Sequence, residues 1–151
     1  MKFTIEQIAI SPKDPVAAKK LLAEIGAKQW HEDTVHADGK VFEEEGSNVA
    51  NLSFNYELCP DKELEVLHYT SGRNWMEGKH AVSHLGMHCT QEELKEWRSF
   101  FAERGIGVAQ EVVTKSHTNP AIAGKRRYNY VIFDTRAILG VDLKFIVRID
   151  S

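Results

Sequence analysis

The chain has 151 residues and a formal net charge of -3, with 42% hydrophobic and 27% charged residues. This length and balance are typical of one compact globular unit and exclude a large multidomain enzyme or a wholly disordered chain. The lack of excess positive charge argues against nucleic acid as a partner. No apolar run approaches the roughly 18 residues of a membrane span, and the first residues lack a secretion-signal pattern, so we expect a cytoplasmic protein without a membrane partner.

The first predicted elements are a strand and a helix. Residues 4–11 alternate between apolar and polar side chains, as a strand with one buried face does. Asp14 is the predicted N-cap of the helix, Pro15 lies in its first turn and Gly26 closes it. The expected apolar stripe of this helix consists of Leu21, Leu22 and Ile25.

The same strand and helix pattern recurs in the second half of the chain. Residues 82–89 alternate in the same way, and Thr90 with Glu93 forms a predicted capping box. Gly105 is the predicted stop of this second helix. Its expected apolar stripe consists of Leu94, Trp97, Phe100 and Phe101.

Three predicted strands follow each helix, separated by turn-forming segments such as Asp38 with Gly39. Their approximate positions are residues 28–36, 49–56 and 63–70 in the first half, and residues 107–116, 126–133 and 139–149 in the second. Each half therefore has the predicted order βαβββ. Cys59 and Cys89 are expected to be free thiols, because two cysteines are too few for a disulfide scaffold.

We predict an α+β fold in which two tandem βαβββ modules, residues 1–70 and 82–151, form one structural unit. Residues 71–81 are the predicted surface connector between them. The strands of both modules would form a curved, roughly eight-stranded mixed sheet. One helix covers one face of each module, so the two bare faces would line a central trough, where the function is expected.

Four polar side chains occupy matching places in the two predicted modules. Gln7 and His84 lie on the first strands, and Glu65 and Asp142 lie on the last strands. Asp142 follows His84 at the same separation in sequence as Glu65 follows Gln7. Their amide, imidazole and carboxylate groups would suit a divalent metal ion such as Ni, Zn, Co, Mn or Fe. Taken alone, Gln7, Glu65 and Asp142 are better explained as ordinary solvent-facing strand residues, and it is the matched separation that favours a shared site.

These segments resemble the vicinal oxygen chelate superfamily, which includes the glyoxalases, bleomycin-resistance proteins and extradiol dioxygenases. EQIAISPKDP is similar to the family's opening strand and helix start, SHLGMHC resembles its second opening, and LEV and VDL resemble its closing strands. The resemblance implies two modules around an open metal-binding trough, with Gln7, Glu65, His84 and Asp142 at the four ligand positions. This combination is most similar to that of glyoxalase I.

The resemblance implies a divalent-metal-dependent lyase or isomerase that transfers a proton next to the carbonyl of a small oxygenated substrate. Glu65 and Asp142 are the two candidate bases. Asp142 stands where the family usually has Glu, and the arginines that bind glutathione have no recognisable counterpart. A homodimer is expected.

His88, Arg73 and Arg126 are candidate substrate contacts. His88 lies too far along its strand from His84 to share a metal ion with it. Five other histidines receive no role: His31, His36, His68, His80 and His117. Two alternatives remain open: a metal-free, drug-sequestering protein of the same fold, and an Fe(II) dioxygenase, which the single ligand-position histidine disfavours.

Overall fold

The computed structural model of the protein describes residues 1–71 and 83–150. In chain order its elements are β1 (Gln7–Ile10), α1 (Pro15–Glu24), β2 (His31–Val41), β3 (Glu44–Asn55), β4 (Glu63–Ser71), β5 (His84–His88), α2 (Gln91–Ala102), β6 (Val108–His117), β7 (Tyr128–Phe133), α3 (Arg136–Leu139) and β8 (Asp142–Arg148). None of these helices has the length and apolar character to cross a membrane.

The eight strands form one mixed sheet that closes on itself in the order β1-β4-β3-β2-β6-β7-β8-β5. β1 is parallel to β4 and β5 is parallel to β8, whereas the other neighbours are antiparallel. The two halves of the chain meet at β2 with β6 and at β1 with β5. The predicted α+β class and eight-stranded mixed sheet are confirmed. The predicted trough differs in that these two contacts close it into a barrel.

Both long helices begin where local sequence signals predict. The N–H of Ala17 donates to Oδ1 of Asp14 at 3.0 Å, which caps α1. Thr90 and Glu93 form the reciprocal capping box of α2, with both hydrogen bonds at 3.1 Å. Each cap satisfies N–H groups that the first turn of a helix leaves without a partner inside the helix.

α2 covers the outer face of the sheet with a cluster of aromatic side chains. Leu94, Trp97 and Phe101 are its buried residues. Phe101 stacks on Phe133 of β7 with ring centroids 4.3 Å apart, and Trp97 lies 5.0 Å from Phe145 of β8. Burial of rings of this size dominates the packing energy of a small domain. This cluster therefore anchors α2, β7 and β8 to one another.

α1 covers the sheet far less well. It has no buried residue, and Leu21 and Ile25 are more than 60% exposed. The prediction that they form a packing stripe is therefore wrong, although Leu22 is half-buried. The half-buried side of the helix consists of Pro15, Ala18, Lys19, Leu22 and Ala23, which recur at helical spacing.

The hairpin between β2 and β3 is longer than predicted, because Asp38 and Gly39 do not form its turn. Both belong to β2, which continues to Val41, and the turn consists of Phe42 and Glu43 with φ of 46° and 67°. Gly39 is required by the neighbouring strand β6, since an added Cβ would lie 2.1 Å from the carbonyl oxygen of Glu111. Close backbone approach, not a turn, explains this glycine.

Candidate functional site

The closed sheet encloses a cavity of about 320 Å³. Most of its wall is apolar or aromatic and comes from side chains that alternate inward along each strand. These residues include Val35, Ala37, Ala50, Leu52, Phe54, Leu67, Tyr69, Val112, Tyr128, Tyr130, Ile132 and Ile146. Exposed wall residues, among them His31, Tyr56, His88 and Arg126, border the solvent. An interior of this kind can bury most of a small organic molecule.

A chain of hydrogen bonds connects the cavity opening to buried side chains on β1 and β5. The Tyr56 hydroxyl donates to Oε2 of Glu63 at 2.7 Å, and Nε2 of Gln7 donates to Oε1 of Glu63 at 2.6 Å. Oε1 of Gln7 lies 2.8 Å from Nε2 of His84. Because this amide oxygen can only accept, the network assigns the proton to Nε2 of His84.

Glu65 lies beside this series of hydrogen bonds, and its carboxyl group is fully buried. Its Oε1 is 3.7 Å from Nε2 of His84 and receives no hydrogen bond from the described residues. Burial raises the pKa of Glu65 to about 7; the positive charge of Lys144 lowers it in part and the charge of Glu63 raises it further. Both protonation states of Glu65 are therefore accessible near neutral pH.

Lys144 occupies the place on β8 that Glu65 occupies on β4. Gln7 of β1 pairs with Glu63 of β4, and His84 of β5 pairs with Asp142 of β8. Two positions further along β4 and β8 lie Glu65 and Lys144. Equal separation in sequence therefore does not reflect equal register: Glu65 pairs with Ala9 of β1. Lys144 is buried, and its Nζ lies 4.5 Å from the centre of the Tyr130 ring.

Asp142 is buried on β8 next to His84, but it does not line the cavity. Its Oδ1 accepts the N–H groups of Thr135 at 3.1 Å and of Arg136 at 3.2 Å. These N–H groups belong to the start of α3, the short helix that occupies most of the connection predicted between the last two strands. The carboxylate of Asp142 thus holds α3 to β8.

The four predicted metal ligands lie on neighbouring strands of the sheet, and Asp142 is paired with His84. Gln7, Glu65 and His84 converge, whereas Asp142 serves α3. Within residues 1–71 and 83–150, no group of three or more His, Cys, Asp or Glu side chains could hold a metal ion. The ammonium of Lys144 in the same wall further opposes a cation. The described residues therefore do not fit the four-ligand metal site that the family resemblance implies.

Of the three candidate substrate contacts, two line the cavity and the third, Arg73, is not among the described residues. His88 and Arg126 are exposed and contribute to the cavity wall. The backbone N–H of His88 donates to Oε1 of Glu6 at 2.9 Å, and its Nδ1 is 3.8 Å from Oε2 of the same residue. Cys59 and Cys89 are free thiols, as expected, and burial raises the pKa of Cys89 to about 11.

Two histidines that received no role from the sequence also line the cavity. His31 is exposed at the start of β2, and the His117 side chain is buried at the end of β6, paired with Asp33. The sequence pattern misses His117 because β2 and β6 shift register between His36 and Ala37. Such a bulge re-aims the side chains beyond it, so simple alternation fails there. The sequence signal that could have found this pair is Asp33, which alternates with Val35 and Ala37 along β2 and therefore faces the cavity.

Comparison with known proteins identifies a related architecture. No protein-family model matches the chain, and no curated protein sequence matches it. A hypothetical protein from Bacillus halodurans C-125 is similar in structure, with a TM-score of 0.51 and 10% sequence identity over 98% of this chain and 96% of that one. The likeness is one of fold. A glyoxalase family protein from Bacillus cereus aligns with a TM-score of 0.29 and 13% identity, covering 99% of this chain and 97% of that one.

Proposed function

We propose that the chain has a glyoxalase-like architecture built from two βαβββ modules, residues 1–70 and 82–151. The strand orders β1-β4-β3-β2 and β5-β8-β7-β6 support this, because they are the same order in each half. The first and last strands of each half are parallel in both cases. α3 would then be an addition to the second module. The function is argued from the cavity, because one fold hosts many unrelated activities.

Within this fold, the proposed function is to bind a small, largely apolar carbonyl compound inside the sheet without a metal ion. The observation that carries the proposal is the ammonium of Lys144, a buried residue of β8 whose side chain lines the cavity among apolar and aromatic side chains. The ammonium has three N–H donors, and none of them donates a hydrogen bond to the described residues; it lies 4.5 Å from the centre of the Tyr130 ring. A bound oxygen would supply the missing acceptor.

The bound oxygen is expected to be neutral. Glu63 and Glu65 line the same cavity, and a carboxylate on the ligand would be repelled by theirs. A ketone or aldehyde oxygen accepts a hydrogen bond from Lys144 without adding a charge. The rings of Tyr128 and Tyr130 stack with centroids 5.7 Å apart and an interplanar angle of 22°, which offers a flat apolar surface to the rest of the ligand.

Titration with acetophenone, followed by protein NMR chemical shifts, tests the proposal. We expect the Kd to rise at least about tenfold in Lys144→Met, since a hydrogen bond to a charged donor contributes about 1.5–3 kcal/mol. Met retains the bulk of the Lys stem in this apolar wall. Lys115→Met is the matched control, because Lys115 is 70% exposed, and it should bind acetophenone like the natural protein. Equal affinity of all three proteins, or no binding, would overturn the proposal.

A second candidate function is proton transfer next to the bound carbonyl, favoured by the buried Glu65 carboxylate in the field of Lys144. In this step the C–H bond breaks, the proton passes to Glu65, and the electron pair moves to the carbonyl oxygen as an enolate. The ammonium of Lys144 stabilises that negative oxygen. The carboxyl proton of Glu65 then exchanges with solvent, and transfer of the solvent-derived proton from Glu65 to carbon completes the exchange.

Deuterium incorporation into the methyl group of acetophenone in D₂O measures this activity. The natural protein should exchange the methyl protons faster than buffer, and Glu65→Gln should reduce the excess rate about 100-fold or more, as loss of a general base does. Glu45→Gln, an exposed change on β3, is the control. Exchange that persists in Glu65→Gln contradicts the assignment of Glu65 as the base while leaving the binding proposal intact.

A further inference from the structure

Asp33 and His117 form a buried pair on the side of the closed sheet where β2 meets β6. Oδ2 of Asp33 lies 2.7 Å from Nδ1 of His117, and the two side chains are only 2% and 3% exposed. In the strand order, this side is separated from β1, β4, β5 and β8 by β3 in one direction and by β7 in the other. The pair is therefore remote in the sheet from Gln7, Glu65 and His84.

Asp33 is held in one orientation by three donors in addition to the imidazole. Its Oδ1 accepts the N–H of Thr118 at 2.9 Å, the N–H of Asn119 at 3.0 Å and the hydroxyl of Thr118 at 3.3 Å. A carboxylate fixed in this way accepts a hydrogen bond from the N–H at Nδ1 of His117. The neutral imidazole then carries its lone pair on Nε2.

Nε2 of His117 is buried and makes no hydrogen bond with the described residues. The imidazole belongs to the cavity wall and packs edge-on against the Tyr128 ring, with centroids 6.0 Å apart. The wall then continues through the stacked Tyr130 to Lys144. A buried acceptor without a donor is unfavourable, and in a ligand cavity the ligand is the natural donor.

We infer that Nε2 of His117 accepts a hydrogen bond from a hydroxyl or amine group of the cavity ligand. This inference rests on the proposed binding function and narrows its ligand class. The ligand carries a carbonyl oxygen for Lys144 and a hydrogen-bond donor for His117, with an apolar or aromatic body against Tyr128 and Tyr130 between them. Asp33 is a positioning residue, because it acts on the ligand only through the imidazole.

Three matched compounds test the inference: acetophenone, 4-hydroxyacetophenone and 4-methoxyacetophenone. In the natural protein the hydroxyl compound should bind about tenfold tighter than the methoxy compound, which is the upper range for one neutral hydrogen bond. In His117→Phe, which keeps a ring but has no acceptor, this ratio should fall to about one. His36→Phe is the control, since His36 is exposed on the outer face of β2, and it should retain the ratio.

The outcomes separate the two proposals. Binding of acetophenone without a preference for the hydroxyl, or a preference that survives in His117→Phe, overturns the role of His117 alone. Failure of all three compounds to bind overturns the proposed function, and the inference falls with it. If His117→Phe does not fold, ¹⁵N NMR of the natural protein decides: Nδ1 protonated and Nε2 unprotonated in the free protein is expected, and the opposite tautomer contradicts the inference.

Discussion

The cavity has polar groups on two opposite sides, and they differ in how the chain builds them. Gln7, Glu65 and His84 project from regular strands. Asp33 and His117 meet where a bulge shifts the register of β2 and β6. The first side contains a hydrogen-bond chain that ends beside a titratable carboxylate, whereas the second has a carboxylate fixed by several donors. The first side therefore contains a carboxyl group that titrates near neutral pH, whereas the carboxylate of the second side is fixed in orientation.

Removal of the fixed carboxylate should have the largest effect on stability. We expect Asp33→Ala to lower the free energy of unfolding by about 3 kcal/mol, because it leaves the buried imidazole of His117 and the part-buried N–H groups of Thr118 and Asn119 without their acceptor. Chemical denaturation measures the loss.

Asp38→Ala is the control for that change on the same strand. Asp38 is exposed, accepts from the Ser47 hydroxyl at 2.6 Å and lies 3.7 Å from Nζ of Lys115. Its loss should cost under about 1 kcal/mol, as for other surface pairs. A similar decrease in the free energy of unfolding in both variants would show that the buried Asp33 carboxylate contributes no more to stability than an exposed one.

The titratable side should make stability depend on pH through Glu65. The pKa of Glu65 is about 7 in the fold and about 4.5 when the chain is unfolded, so the folded state binds its proton more tightly. Stability is then greatest below pH 4.5 and falls as the pH rises through 7, by roughly 3 kcal/mol from this group. Glu65→Gln should remove that part of the decline. Denaturation at pH 5 and pH 8 measures it, and an identical decline in Glu65→Gln contradicts the assignment.

A glycine on β5 offers a smaller and more local change on the same side. An added Cβ at Gly86 would lie 3.0 Å from Oε1 and 3.2 Å from Cβ of Gln7. Gly86→Ala should therefore displace the Gln7 amide and cost about 1–2 kcal/mol. Gly107→Ala, where nothing lies within 4 Å, should change stability by less than about 0.5 kcal/mol. NMR shifts of the His117 ring should be unchanged in both variants; a shift in Gly86→Ala would show that the two sides are coupled.

Metal addition should have the smallest effect. Divalent Ni, Zn, Co or Mn should leave the thermal midpoint unchanged, because Asp142 serves α3 and Lys144 opposes a cation. A metal bound only by the folded state would raise the midpoint in proportion to its affinity. A metal-induced rise of the thermal midpoint that disappears in both Glu65→Gln and His84→Ala would support the metal site that the family resemblance implies and contradict the metal-free proposal.

Local signals predict the helix starts well and the sheet register less well. Asp14, Thr90 and Glu93 act within one turn of chain, so sequence alone reveals them. Gly39 resembles a turn glycine because the strand β6 that requires it lies about 70 residues away in sequence. Long-range pairing, which single-sequence patterns do not contain, decides its role.

The candidate site follows the same division. Alternation along β1, β4 and β5 correctly predicts that Gln7, Glu65 and His84 share one interior. Asp142 was matched with Glu65 on equal separation in sequence, but β1 and β5 are paired with their last strands in different registers, so that Lys144 is the residue of β8 that matches Glu65. His117 was missed because a bulge interrupts the alternation of its strand. Residues beyond an irregularity need the three-dimensional register before their direction can be assigned.

The most direct test of the central claim, that a carbonyl compound binds inside the sheet at Lys144, is an isotope-filtered NOE experiment with acetophenone and ¹³C-labelled protein. We predict contacts from the acetophenone methyl and ring protons to the side chains of Lys144, Tyr130 and Ile132, all of which line the cavity. Contacts confined to exposed residues, such as Leu21 of α1 and Ile25 just after it, with none to Lys144, would contradict this prediction.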